Sequence, residues 1–212
     1  MAWKRLLAKS FVFFSIVIFL VSCAGGGAVQ ISKQELNTLV SISIDPEIKK
    51  PDMPFIQGAG NFKAFLLGGG IGAAVEQQEA GKIFKDYLDR NNIDISKIVY
   101  DEFKNAIIEK NIFKITENSD AKLKLVINVY GFGKSSAFSF SDRRPMLNVT
   151  ASLIKGDKET IWQKKDYITN LNGSTDMYTY DQLAKNPQLT EKSLKQVSAM
   201  LAHLILADLK RI

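Results

Sequence analysis

The chain has 212 residues, with 28 lysines and arginines against 22 aspartates and glutamates, a single histidine and a single cysteine. One cysteine excludes an internal disulfide framework, and one cysteine with one histidine is too few for a Cys/His metal centre. With Lys4, Arg5 and Lys9 set aside, 25 basic residues face 22 acidic ones, a net of +3 spread along the chain, which is not the footprint of a nucleic-acid binder. Those three cations precede the run FVFFSIVIFL (11–20), and the first 22 positions hold no acidic residue. A basic start followed by a short apolar run is the pattern of an export signal. At ten residues the run is too short to cross a bilayer core, which needs about 20.

The lone cysteine follows at once. Leu20-Val21-Ser22-Cys23 resembles, position by position, the lipobox of bacterial lipoproteins. That resemblance implies a diacylglyceryl thioether on Cys23, with Leu20, Val21 and Ser22 read by the processing peptidase and residues 1–22 removed. It also implies an anchor with no cofactor beyond the covalent lipid, since several acyl chains at ~0.8 kcal/mol per buried methylene bind a membrane durably. Ala24 follows where an aspartate would mark retention in the inner membrane under enteric-type sorting. The expected place is therefore the outer membrane, facing the periplasm. The expected organisation is a signal peptide over 1–22, lipidated cysteine and tether over 23–37, and one domain over 38–212.

Within that domain LVSISI (39–44) alternates and reads as a first strand, with Val40, Ile42 and Ile44 on one side and Leu39, Ser41 and Ser43 on the other. Residues 49–60 read as a loop. In the following stretch Gly68, Gly69 and Gly70 cost roughly 1 kcal/mol each in a helix, so they suggest a break, a packed small-residue surface or a membrane or self-association contact. The run lacks the Lys-Ser/Thr of a phosphate loop, and Val75 occupies the place of a dinucleotide fingerprint's last glycine. The later part, up to Arg90, is charged and helical. DISKIVYDEFKNAIIEKN (94–111) is an amphipathic helix with Asp94 as N-cap and Ile95, Ile98, Val99, Phe103 and Ile107 as its stripe.

Then the period changes from 3.6 to 2. A short strand over 113–116 and a turn at 118–120 lead into AKLKLVINVYGFG (121–133). Its inward set is Leu123, Leu125, Ile127 and Val129; its outward set is Lys122, Lys124, Asn128 and Tyr130. PMLNVTASLIK (145–155) repeats the alternation, and a turn at Gly156-Asp157 brings back ETIWQKKDY (159–167) as its partner. Thr190 is placed to cap a last helix whose buried stripe is Leu194, Val197, Leu201, Leu204 and Ile205. The expected fold is α+β: an antiparallel sheet of about four to five strands with helices packed on one face.

The order of elements is similar to small periplasmic lipoprotein domains of Gram-negative bacteria, including transporter auxiliary lipoproteins and relatives of the curli-secretion lipoprotein. The lipobox, LLGGGIGAAVE (66–76), the helix leading into AKLKLVINVY and the strand-turn-strand LIKGDKETIWQKK (153–165) carry the similarity, over roughly residues 38–212. It implies a scaffold, channel or adaptor role without catalysis, and it identifies no functional residue beyond Cys23. The paired hairpins of the channel formers are not seen.

Chemistry is sparse. His203 is expected on an exposed helix face with Lys192, Gln196 and Ala199, and Asp101 and Glu102 are neighbours on a helix and so point apart. Neither a nucleophile pair nor a metal site is indicated, and the chain is read as not an enzyme. GFGKSSAFSFSDRRP (131–145) offers Phe138, Phe140, Arg143 and Arg144, residue types that dominate interface hot spots. Either this is an extended hairpin tip presented to a protein partner of the envelope, or the strands run longer and the side chains pack on the sheet. The expected function is a lipid-anchored, non-catalytic interaction or scaffold module. A carrier of a lipid or glycan is the alternative, and a hydrolase the distant one.

Overall fold

A computed structural model describes residues 29–57, 77–136, 142–156, 159–171 and 174–209. The expectations placed on residues 1–28, on the glycine run 68–70 and on Phe138 and Phe140 lie outside the described residues. Three long strands form the spine: β4 (Ala121–Lys134), β5 (Asp142–Lys155) and β6 (Glu159–Ile168), paired antiparallel in chain order. Gly156 turns the chain between the last two with φ 59°, the left-handed region that an L side chain enters at a cost.

Four short strands complete a seven-stranded sheet. These are β1 (Ser41–Ile44), β2 (Phe55–Ile56), β3 (Lys114–Ile115) and β7 (Tyr178–Thr179). The path runs β3-β1-β4-β5-β6, with β2 also on β4 and β7 also on β5. β1 and β2 both run parallel to β4, at Ala121–Leu123 and at Gly131–Phe132 respectively, and a bridge between Lys49 and Val126 sits between them. Residues 49–60, expected as loop, thus supply a strand. A two-residue strand carries no periodicity, so β2 and β7 leave no pattern to read.

The spine keeps its alternation with one correction. Leu123, Leu125 and Ile127 are buried as expected, and so are Leu147, Val149, Ala151 and Leu153. Between Ile127 and Val129 the register shifts, so Asn128 is an extra residue on β4. A single inserted residue flips everything after it to the other face. Tyr130 and Phe132 therefore turn into the core, and Val129, expected inward, turns out beside Asn148. Asn128 fills the bulge by donating from Nδ2 to Asn148 Oδ1 and Thr150 Oγ1, both at 2.9 Å.

The helices are α1 (Lys33–Thr38), α2 (Gln77–Arg90), α3 (Ile95–Glu109), α4 (Tyr180–Lys185) and α5 (Pro187–Ile205). A 3-10 turn over Leu206–Leu209 extends the last. α1 begins inside the segment expected as tether and ends at the first residue of the expected domain. Ser32 caps it and Leu36 enters the core, which leaves Leu39 as its buried C-cap and Val40 exposed, the reverse of the strand parity expected there. Asp94 caps α3 as expected, accepting from Ser96 N at 2.9 Å. α5 begins earlier than expected: Asn186 is its cap and Pro187 opens it, a position where the missing N–H costs nothing. Thr190 is instead buried within the first turns, its hydroxyl donating to Leu183 O at 3.1 Å.

α5 packs across β5 and β6, and α3 packs beside α5. Val99, Phe103 and Ile107 of α3 and Leu194, Val197 and Leu201 of α5 are completely buried in the same core as Leu123, Val149 and Leu153. Each such side chain contributes about 1.5–3 kcal/mol on burial. Leu204 departs from the expected stripe and is exposed, while Ile205 is buried. α2 closes the far end of β4, where Phe84 meets Phe132 edge-on at 5.7 Å between ring centroids.

Candidate functional site

The chain enters the fold along the free edge of β6. Val29 O accepts from Gln163 N at 2.8 Å, and Glu35 lies 3.9 Å from Lys155 beyond the start of that strand. Five residues separate Val29 from Cys23. Cys23, Leu20, Val21 and Ser22 are outside the described residues, so geometry begins at this edge.

The two arginines expected at a hairpin tip are split by the pleat. Both strands run longer: β5 starts at Asp142, and Ser135 N still donates to Asp142 O at 3.0 Å. Arg143 shares the inward parity of Pro145 and Leu147 and is 1% exposed. Its guanidinium stands 4.5 Å over the ring of Tyr180, and Nη1 donates to Asp142 O at 3.0 Å. Tyr180 in turn donates from its hydroxyl to Gln57 O at 2.9 Å. Burial pushes the Tyr180 phenol up to about 12, with Arg143 opposing the rise. Arg143 is therefore a clamp joining β5, α4 and the end of β2, and it is not available to a partner. The signal was in the sequence, because the alternation Leu147, Pro145, Arg143 runs straight through the charge.

Arg144 has the opposite parity and is half-buried on the other face, across from Gly133. That end of the face is latched by Asn170, whose Nδ2 donates to Lys134 O at 2.6 Å. A Cβ on Gly133 would come within 2.5 Å of Asn170 Cγ, so the glycine is what lets this turn lie down. Gln57 ties in the same corner, accepting from Lys134 N through Oε1 at 3.1 Å and donating from its own N–H to Phe132 O at 3.0 Å.

Away from that corner, the sheet face opposite the core keeps its side chains partly or fully exposed along β4, β5 and β6. Register places Ser43 with Lys122, Lys124 with Ser152 and Gln163, Val126 with Thr150 and Lys165, and Val129 with Asn148 and Tyr167 on it. Lys114 joins it from β3 through its pairing with Ser41. Polar rungs cross it, among them Gln163 Nε2 donating to Ser152 Oγ at 3.0 Å. Among the described residues its carboxylates flank the strands, and Asp45 follows β1 with the parity of Ser41 and Ser43. Asp142 opens β5, and Asp120 precedes β4 with its charge held by the N–H groups of Ser41 and Val40, which lower its pKa. The middle of the face is basic.

On the helical side, His203 is only partly exposed, with its Nε2 3.5 Å from Glu109 Oε2 across the α3–α5 seam. Lys110 Nζ donates to His203 O at 2.8 Å. The histidine expected on a free face thus belongs to an interhelical pair. Asp101 and Glu102 do diverge: Asp101 pairs with Lys97 at 2.6 Å, whereas Glu102 faces Lys195 and His203, its carboxyl raised by burial and lowered by Lys195. Among the described residues no three His, Cys, Asp or Glu side chains gather as a metal-binding group.

No family model matches the chain, and no curated protein matches it. The solved structures similar to this chain include three lipoproteins. One is described as a candidate lipoprotein from Caulobacter crescentus CB15, at 12% identity, covering 54% of this chain and 80% of that one, with a TM-score of 0.40. A minor lipoprotein from Acinetobacter baumannii is 10% identical, covers 79% and 91%, and scores 0.37. Lipoprotein GNA1162 from Neisseria meningitidis is 16% identical, covers 75% and 98%, and scores 0.26. All three carry the name lipoprotein, and none is named as a transporter auxiliary or curli-secretion protein.

Proposed function

We propose that this chain is an envelope lipoprotein, held by a diacylglyceryl thioether on Cys23, whose folded domain serves as a non-catalytic interaction or scaffold module. The observation that carries the reading is Leu20-Val21-Ser22-Cys23 at the end of a basic and then apolar leader. Ala24 in the sorting position supports the outer membrane, facing the periplasm. The scaffold role over the carrier role is supported by the helix–sheet interface, where Phe103, Ile107, Leu123, Leu153 and Leu201 fill the space a ligand would need. With Arg143 committed to the clamp, the partner-binding candidates narrow to Phe138, Phe140 and Arg144.

The test is metabolic acyl labelling of the wild-type chain and of Cys23→Ser, combined with a photocrosslinking residue at position 138 or 203 in living cells. Label on the wild type alone, and a discrete protein adduct from position 138 but not 203, are the expected results. An unlabelled wild-type chain defeats the anchor. A labelled chain that traps no protein at either site defeats the interaction module, and ligands co-purifying with the domain would then support the carrier.

A further inference from the structure

The open face of the sheet has a basic middle, and its position relative to the anchor is constrained. We propose that this face, centred on Lys122, Lys124 and Lys165 with Lys114 beside them, lies against the anionic phospholipid leaflet that holds the acyl chains. The proposal rests on the lipid-anchor reading of Cys23 and goes beyond it by giving the domain an orientation.

Two independent observations carry it. The first is reach. Six peptide steps from Cys23 to Val29 span at most about 20 Å. Val29 is fixed to Gln163, on the outer edge of the strand that presents Lys165 and Tyr167. An anchored chain therefore cannot carry the β6 edge far from the headgroups, and only surfaces near that edge can meet them. The second is charge. Lys122, Lys165 and Lys114 are exposed and Lys124 is half-buried, all on one face, with Asp120 and Asp142 at its ends and Asp45 after β1 as its carboxylates. Tyr167 is exposed on the same face, and its amphipathic ring suits a headgroup boundary. On the helical layer Lys97, Lys185 and Lys195 are each paired with a carboxylate one turn away, while Lys82 and Lys104 are exposed singly on α2 and α3.

The experiment uses the full acylated protein, purified from membranes and reconstituted into vesicles of phosphatidylethanolamine with or without phosphatidylglycerol. A water-soluble amine-acylating reagent is applied, and each lysine is quantified by mass spectrometry, with exposed Lys104 on α3 as the internal reference. The expected result is a severalfold slower reaction at Lys122, Lys124 and Lys165 on anionic vesicles only, reversed by salt, with Lys104 unchanged. Neutralising one of these lysines to glutamine is expected to weaken the anionic preference about fivefold. Equal labelling on both vesicle types overturns the proposal, even when the protein is acylated. Absence of acyl mass on the N-terminal peptide instead overturns the anchor, and the reach argument falls with it.

Discussion

Arg143 is the residue whose expected and observed roles differ most, and replacing it measures the difference. In Arg143→Ala the fold loses a cation–ring contact shielded from water, worth about 2 kcal/mol. It also loses a hydrogen bond from a charged donor to Asp142 O, about 1.5–3 kcal/mol. Together these give roughly 4 kcal/mol, because a side chain 1% exposed leaves no room for water to compensate. For a domain of this size each kcal/mol moves Tm by about 2–4 °C, so a loss of about 8–16 °C is expected. The assay is urea unfolding followed by circular dichroism, with Lys122→Ala as an exposed control expected within about 0.5 kcal/mol of wild type. A double-mutant cycle with Tyr180→Leu measures the Arg143–Tyr180 interaction as a whole and should return a coupling of about 1–2 kcal/mol. Arg143→Ala with wild-type stability, or a cycle with no coupling, would show that the guanidinium is not held over Tyr180, and the clamp reasoning would fail.

Further outcomes follow from two glycines and from Tyr180. Gly131 has φ 145° and a Cβ there would collide with Phe55 O, so Gly131→Ala must either part β2 from β4 or strain the backbone, at about 3 kcal/mol or more. Gly156, with φ 59° and open space around its Cβ position, should tolerate alanine for about 1 kcal/mol, and equal costs for the two in denaturant titrations would contradict the crowding described. The Tyr180 phenol, raised from 10.0 to about 12, favours the neutral form in the fold. Its contribution is complete below pH 10 and is lost as pH climbs toward 12, on the order of 2 kcal/mol in total. Tyr180→Phe should flatten that part of the stability–pH curve, and an unchanged alkaline slope would refute the assignment.

The parts of the fold that could be read in advance are those where a period persists. Asp94 followed by the stripe through Ile107 gives α3 with its cap, and the alternation Leu147 to Leu153 gives the centre of the sheet. What stayed hidden has particular causes. Asn128 looks like any outward residue of an alternating strand, and only pairing against Asn148 and Thr150 reveals it as an inserted one, which misassigns Val129 and Tyr130 downstream. Thr190 is as good a cap as Asn186 by chemistry, and Pro187 favours the earlier start because its fixed φ and missing N–H suit the first helical position. For the site, the alternation already placed Arg143 inward, and the general habit of charged residues to stay in water masked it. Asn170 over Gly133 could not be foreseen, since a turn meeting a strand from across the sheet leaves no local trace.

The placement of β1 has a temporal meaning as well as a spatial one. Its two neighbours in the sheet are β3 and β4, and the hydrogen bonds that fix its start run from Val40 and Ser41 to Asp120, 80 and 79 positions further along. The pairings that join β4 to β5 and β5 to β6, by contrast, lie within a hairpin's distance. Pairings that close long stretches of chain carry the larger entropic cost and form late. In a polypeptide delivered amino end first, the earliest strand to arrive is thus among the last to be seated: residues 41–57 wait, unpaired, until β4 has been delivered beside them.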